Sequence, residues 1–235
     1  RSPGEFYQLD LEMSFVEQED IFNVVEKLLL KLFQEFSNFE IKTKKFPRIK
    51  YKDAILKYGT DKPDLRNPLL IYDITSIFSR EDVKFEIFKK MVNSGSIVRA
   101  IVTKNTKNKP RSFFDNLDKW AKEQGASGLA YFTIEKVGKI SAKGPVGKFF
   151  SEESLKEIMK ICNAKIGDSI FLSCGSKNNV EKILSIARNK LGVDLGLIND
   201  DEFSFCWIID YPMFEIDEVS GKIEFSHNPF SMPQG

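Results

Sequence analysis

The sequence is poor in the residues that hold many small or metal-dependent proteins together. It has only three cysteines, Cys162, Cys174 and Cys206, and one histidine among its 235 residues. An odd number of widely spaced cysteines fits neither a disulfide framework nor zinc ligation, which uses close cysteine pairs. We therefore expect buried, reduced thiols, as in a cytoplasmic protein, and no metal site within these residues.

The chain also lacks an excess of charge of either sign and any long apolar run. Its 35 Lys and Arg residues against 34 Asp and Glu give a formal net charge of +1. This balance excludes a global electrostatic attraction to nucleic acid or membrane, so any RNA contact must be local. No segment approaches the roughly 20 apolar residues that span a bilayer. We expect a cytoplasmic protein that binds neither membrane nor DNA.

Common nucleotide-binding and metalloprotease motifs are missing as well. The sequence contains no GxGxxG, no Walker motif and no HExxH. Its composition, 42% hydrophobic and 29% charged, is that of a globular protein with one or two domains. Because the chain starts at Arg1 and stops at Gly235 just after an apolar segment, we interpret it as an internal piece of a longer protein.

Residues 6–15 alternate strictly between apolar and polar side chains, which predicts a half-buried antiparallel strand. One face carries Gln8, Asp10 and Glu12. Acidic residues are uncommon in strands, which makes this row distinctive. Its negative charge could bind an ammonium group or a metal ion. On periodicity alone, a solvated strand face is the simpler interpretation.

The remaining chain predicts helices and strands in alternation. Apolar residues at helical spacing indicate a helix over about 19–36 that packs on the back of a sheet. A loop rich in Pro and Gly at 58–68 marks a domain boundary. Beyond it we predict strands at 97–102, 129–134, 170–173, 203–209 and 222–226, helices capped by Ser79, Ser112 and Ser151, and a helix over 180–191 that Gly192 ends.

Two further features are candidates for binding. His227 follows the last strand, although a lone histidine is more often structural than catalytic. The basic loop between β and α segments places Lys104, Lys107, Lys109 and Arg111 within eight residues. It lacks the interleaved aromatic residues of a single-strand stacking platform, so the residues alone favour a solvated charged surface.

The order of particular segments resembles that of bacterial aspartyl-tRNA synthetases. Glu5-Phe6-Tyr7-Gln8-Leu9-Asp10 and the residues to Phe15 resemble the second strand of class II motif 2, and Arg1-Ser2-Pro3 resembles the end of its loop. The resemblance continues in family order through the following segments: Tyr58 to Pro68 before the insertion, Gly125 to Tyr131 and Gly144 to Phe149 within the inserted GAD domain, and Trp207 to Glu215 and His227 to Phe230 after it.

The resemblance implies an α+β fold in which a class II antiparallel-sheet catalytic domain carries an inserted α+β GAD domain. Residues 1–68 and 199–235 would belong to the catalytic domain and residues 69–198 to the insertion. The implied activity is ATP-dependent conversion of L-aspartate to aspartyl-adenylate, followed by transfer to the 3′ end of tRNA(Asp). Charging of tRNA(Asn) as well stays open, and the longer protein is expected to be a homodimer.

The resemblance also implies roles for individual residues. Asp10 would bind the substrate ammonium beside Gln8, with Glu12 on the same polar face, and His227 would lie on a loop that closes over the aspartate. Ser2 would contact ATP, which enters with Mg²⁺ as a substrate complex, and no prosthetic group is expected. Arg1, Lys104, Lys107, Lys109 and Arg111 are the candidate tRNA contacts.

Several residues that the family uses for phosphate neutralisation and aspartate selection have no counterpart in these 235 residues. They include the residues of motif 1 and the arginine of motif 3. Electrostatic stabilisation by such charged residues usually makes a large contribution to catalysis. We therefore expect the piece to be inactive by itself. Two non-enzymatic functions remain as alternatives: a tRNA-binding module, and a spacer or interaction surface.

Overall fold

A computed structural model of the chain describes residues 4–217 and 220–226. The chain divides into two compact units, Arg1–Phe46 with Asp201–Phe205, and Pro47–Asp200 with Cys206–Gly235. None of the helices in the described ranges has the length and apolar character needed to cross a membrane. In chain order the elements are α1 (Gln18–Phe36), β1 (Glu40–Ile41), β2 (Arg48–Lys50), α2 (Tyr51–Tyr58), β3 (Ile71–Asp73), α3 (Glu86–Asn93), β4 (Ile97–Thr103), α4 (Arg111–Glu123), β5 (Ala130–Val137), β6 (Lys139–Lys143), α5 (Glu152–Ile161), β7 (Ser169–Gly175), α6 (Lys177–Asp194), β8 (Glu202–Phe203), β9 (Trp207–Ile209), β10 (Phe214–Ile216) and β11 (Ile223–Phe225).

The first unit is built around the predicted helix, α1, which is confirmed. At its start the backbone N–H of Glu17 donates to the carboxylate of Asp20 at 2.9 Å, which satisfies a donor at the helix entrance. Phe33 packs edge-on against Phe203 and Phe205, with ring centroids 4.6 and 4.8 Å apart. The helix therefore packs through these rings on the short parallel pair β1–β8. Three of the apolar residues whose helical spacing predicted this helix, Leu28, Leu32 and Phe36, stay exposed.

Residues 6–15 do not form a strand, so the strand predicted there was wrong. The segment has no regular secondary structure, and Tyr7 and Phe15 are fully exposed. Within residues 4–217 and 220–226, no strand pairs with it. Alternation sets the two faces of a strand, but a strand also needs a neighbour for its backbone hydrogen bonds, and one is not supplied here.

The second unit contains a five-stranded antiparallel sheet in the order β3-β4-β7-β5-β6. Its longest ladder joins β4 to β7 over seven residue pairs, from Ile97 opposite Gly175 to Thr103 opposite Ser169. Both strands are mostly apolar and almost completely buried, as expected for central strands that are covered on both faces. The three strands predicted within this region are confirmed, and their ends differ from the predicted ones by at most about three residues.

Alternate residues of β4 contribute to two separate hydrophobic cores. Val98, Ala100 and Val102 belong to the first core, with residues such as Leu155 and Ile158 of α5. Ile101 belongs to the second core, with residues of α4 and α6 such as Leu184. Since each fully buried aliphatic or aromatic side chain contributes about 1.5–3 kcal/mol, both helical layers hold the sheet.

The helix starts were predicted with mixed success. Ser151 caps α5 as expected, because its hydroxyl accepts from the N–H of Ser154 at 3.0 Å. Ser79 instead ends a short 3₁₀ helix and α3 begins later, at Glu86. Pro110 precedes α4, so Ser112 lies inside that helix and does not cap it; proline fits a helix entrance because it lacks an N–H.

Gly192 does not end α6, which continues to Asp194. A Cβ at Gly192 would lie 2.4 Å from the amide nitrogen of Asn67, so glycine is required here for close packing. The strand predicted over 203–209 is divided into β8, which pairs with β1, and β9, which pairs in parallel with β2. The last predicted strand is confirmed as β11, which forms a hairpin with β10.

The thiols were predicted to be buried and unpaired. All three cysteines are free, and Cys162 and Cys174 are buried while Cys206 is partly exposed. Burial raises the pKa of Cys162 to about 12 and that of Cys174 to about 11. Since the thiolate is the reactive form, these two cysteines are packing residues.

Arg188 of α6 anchors the segment that precedes the sheet. It is 1% exposed, and its guanidinium donates to the carbonyl oxygens of Leu69 at 2.6 Å, Asn67 at 2.6 Å and Asp64 at 2.9 Å. It also lies 4.9 Å from the ring centroid of Tyr58. A buried charge is tolerated only with such partners, so Arg188 fixes the path of residues 58–69 over α6.

Replacing Arg188 with Met should destabilise the protein by about 3 kcal/mol, because three carbonyl groups would lose their donor. The free energy of unfolding in urea measures this. Lys190→Met on the same helix is the control, since the exposed Lys190–Asp194 pair contributes less than about 0.5 kcal/mol. Equal effects of the two substitutions would contradict the role of Arg188.

Candidate functional site

The three predicted polar residues of segment 6–15 are all exposed, and two of them are in contact. The side-chain amide of Gln8 donates to a carboxylate oxygen of Asp10 at 2.6 Å. Glu12 follows on the same irregular stretch without a described contact to either residue. The structure thus brings Gln8 and Asp10 together, and Gln8 orients the carboxylate of Asp10. The strand geometry that was predicted for this contact is not present.

Three other predicted site residues lie outside the described part of the chain. Arg1 and Ser2 precede its first residue, and His227 follows Ser226, the last one. Their contacts to tRNA, ATP and aspartate therefore stay predictions.

Three of the predicted tRNA contacts, Lys104, Lys107 and Lys109, lie on the loop between β4 and α4, and Arg111 is the first residue of α4; some of them already have partners. Lys104 donates to the carbonyl oxygen of Asn163 at 2.6 Å, and Arg111 pairs with Asp115 one helical turn away at 3.1 Å. The ammonium of Lys109 lies 5.5 Å from the ring centroid of Phe113. Lys107 is exposed, and its backbone N–H donates to Gly167 at 3.0 Å.

A buried carboxylate organises this loop. Asp168 is 2% exposed and accepts hydrogen bonds from the backbone N–H groups of Asn105 at 2.9 Å and Lys165 at 2.8 Å. Its second oxygen also faces the ammonium of Lys104 at 3.1 Å. Because one carboxylate joins the loop after β4 to the turn before β7, it fixes the backbone that carries the lysines.

Asp168 was not among the residues that the sequence indicated as functional. Its local signal is weak: an aspartate after Gly167 and just before a buried strand is an ordinary turn residue. Two of its partners, Lys104 and Asn105, lie about 60 residues earlier in the chain, so their contact with Asp168 depends on the β4–β7 pairing.

The second unit also has an open cleft of about 820 Å³. It lies where the first turns of α2 and α6 face Arg99 of β4 and the β9–β10 connection, and it is lined by Lys50, Tyr51, Lys52, Ile55, Leu56, Arg99, Lys177, Asn178, Glu181, Asp210, Pro212, Glu215 and Ile216. These residues come from four distant segments, which explains why no local motif indicated the cleft.

Most charges of the cleft are paired within it. Lys50 contacts Asp210 and the buried Arg99 contacts Glu181, each at 2.9 Å. The hydroxyl of Tyr51 donates to Glu215 at 3.2 Å. Burial, with the nearby charge of Glu215, raises the pKa of Tyr51 to about 12 and keeps this donor protonated at neutral pH. The cleft is polar, but its ion pairs are structural ones.

Across residues 4–217 and 220–226, no group of three or more His, Cys, Asp or Glu side chains is arranged to hold a metal ion. Asp10 has Gln8 as its described neighbour, and an amide with one carboxylate makes an incomplete ligand set for Mg²⁺.

Comparisons with known proteins give a consistent result. A family model described as tRNA synthetases class II (D, K and N) matches residues 1–235. An aspartate–tRNA(Asp/Asn) ligase of Pelagibacter ubique (strain HTCC1062) is 71% identical over 235 residues, which is 100% of this chain and 40% of the relative.

Relatives of the same name from other bacteria are less similar. The protein of Ehrlichia chaffeensis (strain ATCC CRL-10679 / Arkansas) is 54% identical over 100% of the chain and 39% of its own length. That of Methylorubrum populi (strain ATCC BAA-705 / NCIMB 13946 / BJ001) is 50% identical over 99% of the chain and 39% of its length. The chain therefore spans about two fifths of the length of the curated relatives it matches.

Replacing Asp168 with Ala should destabilise the protein by about 2–4 kcal/mol, because two backbone donors and Lys104 lose their acceptor. Hydrogen exchange of the Asn105 and Lys165 amides should become faster. Asp115→Ala, which removes the exposed partner of Arg111, is the control and should cost less than about 1 kcal/mol. Unchanged amide exchange in the Asp168 variant would contradict the proposed organisation of the loop.

Proposed function

Because the chain belongs to the class II tRNA synthetases (D, K and N), we propose that it serves an aspartate–tRNA ligase. The observation that carries this proposal is the 71% identity, over the whole chain, to a relative of that name. The reaction is ATP-dependent: a carboxylate oxygen of aspartate attacks the α-phosphorus, pyrophosphate leaves, and a tRNA hydroxyl then takes the aspartyl group while AMP leaves. The acceptor is tRNA(Asp), and the relatives' names support tRNA(Asn) as a second one.

We assign recognition of the substrate ammonium to Asp10. An ammonium group that leaves water needs a carboxylate partner, and a charge-assisted hydrogen bond of this kind contributes about 1.5–3 kcal/mol. The contact from Gln8 at 2.6 Å supports the assignment because it orients one oxygen of Asp10 and leaves the other available. Glu12 would add negative potential on the same stretch.

Roles for the residues outside the described ranges follow the family resemblance. His227 would donate to the side-chain carboxylate of the aspartate substrate, Ser2 would contact ATP, and Arg1 would contact tRNA. ATP would bind as its Mg²⁺ complex, and the ligands of that ion would come from parts of a longer protein. We propose that these 235 residues do not catalyse the reaction alone, which agrees with the two fifths of the relatives' length that they span.

The proposed domain organisation places a GAD insertion at residues 69–198, between catalytic-domain segments 1–68 and 199–235. Support comes from the sheet, since its five strands and the helices α3 to α6 all lie between Ile71 and Asp194 and enclose two cores of their own. The longer protein is proposed to be a cytoplasmic homodimer.

A tRNA-binding module without catalysis is the second candidate. It is favoured by one observation, the basic loop that Asp168 holds in place. Binding of tRNA by a longer protein that shows no aspartate-dependent exchange would select this candidate.

In the full-length protein, Asp10→Asn should lower kcat/KM for aspartate in ATP–pyrophosphate exchange by about 10- to 100-fold, through loss of the charge-assisted contact to the ammonium. The same exchange assay with Asp194→Asn is the control, because Asp194 lies on α6 and pairs with Lys190. Full activity of the Asp10 variant would refute its role, and absence of exchange in the unmodified protein would refute the ligase itself.

A further inference from the structure

Three segments that are far apart in the sequence meet at one end of the five-stranded sheet. The N–H of Lys107, after β4, donates to Gly167 at 3.0 Å, and the N–H of Gly167 donates to Ile134 of β5 at 2.8 Å. Asp168 closes the arrangement, because its backbone oxygen accepts from Ile134 at 2.9 Å and its carboxylate holds Asn105. The positions of these segments relative to one another are thus fixed by backbone hydrogen bonds.

This end of the sheet is strongly basic. Segments 104–109, 134–139 and 163–168 carry six lysines, namely Lys104, Lys107, Lys109, Lys136, Lys139 and Lys165, against two acidic residues, Glu135 and Asp168. The whole chain has a net charge of only +1, so the cations are concentrated here by the fold. We call these three segments the basic end.

Among the described residues, the side chains of two lysines of the basic end, Lys136 and Lys165, do not contribute to the ion pairs that stabilise the fold. In the part of the chain that the structure describes, no ion pair joins Lys136 or Lys165 to an acidic side chain, and both residues are exposed. Their cationic neighbour Lys104 is held by Asp168, and Glu152, the carboxylate near Lys139, is paired with Lys156. Lys136 and Lys165 therefore present uncompensated charge on a rigid backbone.

We propose that the basic end binds the phosphate backbone of tRNA, with Lys136 and Lys165 as contacts beside Lys107 and Lys109. Lysine is a compact charge on a flexible stem and suits phosphates without reading bases. The choice of tRNA as the polyanion rests on the proposed function. The concentration of positive charge at the basic end is independent of that function. Asp168 is a positioning residue, since it holds the loop and the turn but faces inward.

The test is tRNA binding by the full-length protein as a function of salt, for the unmodified protein and for a double variant with Lys136→Gln and Lys165→Gln. Each phosphate contact contributes about 0.7–0.9 to the slope of log affinity against log salt. We expect the slope to decrease by about 1–2 and the affinity near 0.1 M salt to fall about 10-fold or more. Lys136→Arg with Lys165→Arg should restore both quantities.

Lys122→Gln with Lys190→Gln is the matched control, because it removes the same charge from lysines of α4 and α6 that pair with Asp118 and Asp194. An unchanged slope in the Lys136/Lys165 variant, equal losses in the control variant, or no tRNA binding by the unmodified protein would overturn the proposal. Aspartate-dependent ATP–pyrophosphate exchange should be the same in all variants. Absence of exchange in the unmodified protein would refute the ligase. A smaller salt slope in the Lys136→Gln, Lys165→Gln variant would still support the RNA surface.

Discussion

The pairing of β4 with β7 is the interaction on which most of the second unit depends. Its seven residue pairs bring together two segments that are about 70 residues apart, and alternate side chains of β4 supply two cores. The same ladder places the loop after Thr103 beside the turn before Ser169. The carboxylate of Asp168 and the lysines around it therefore become neighbours only when this pair of strands has formed.

Two buried polar groups convert this sheet into a scaffold with defined loops. Arg188 binds three carbonyl groups of the segment that leads into β3, and Asp168 binds two backbone N–H groups and an ammonium at the basic end. Each group is deeply buried, so a missing partner would leave an unsatisfied charge or donor. This requirement for partners ties the neighbouring loops to the sheet and to α6.

Local patterns predicted the elements whose causes are local. The apolar spacing of α1, the cap at Ser151 and the apolar runs of β4 and β7 are all properties of short segments. The strand at 6–15 was wrong because alternation does not supply a pairing neighbour, and Gly192 was misinterpreted because its contact with Asn67 is distant in sequence. Other residues are important only because of the partners that the fold brings to them, namely Asp168, Arg188, Lys136 and Lys165. By contrast, Gln8 and Asp10 could be singled out from the sequence because they are two residues apart.

In the proposed function, lysines that the fold gathers from separate segments form an RNA-binding surface of an aspartate–tRNA ligase. Lysine footprinting tests it directly: the full-length protein is acetylated with and without tRNA, and modification is quantified at each lysine by mass spectrometry. If the basic end binds tRNA, then tRNA protects Lys136 and Lys165 several-fold, while Lys122 and Lys156, on α4 and α5, react equally in both samples. If Lys136 and Lys165 remain as reactive with saturating tRNA as without it, the basic end does not bind tRNA.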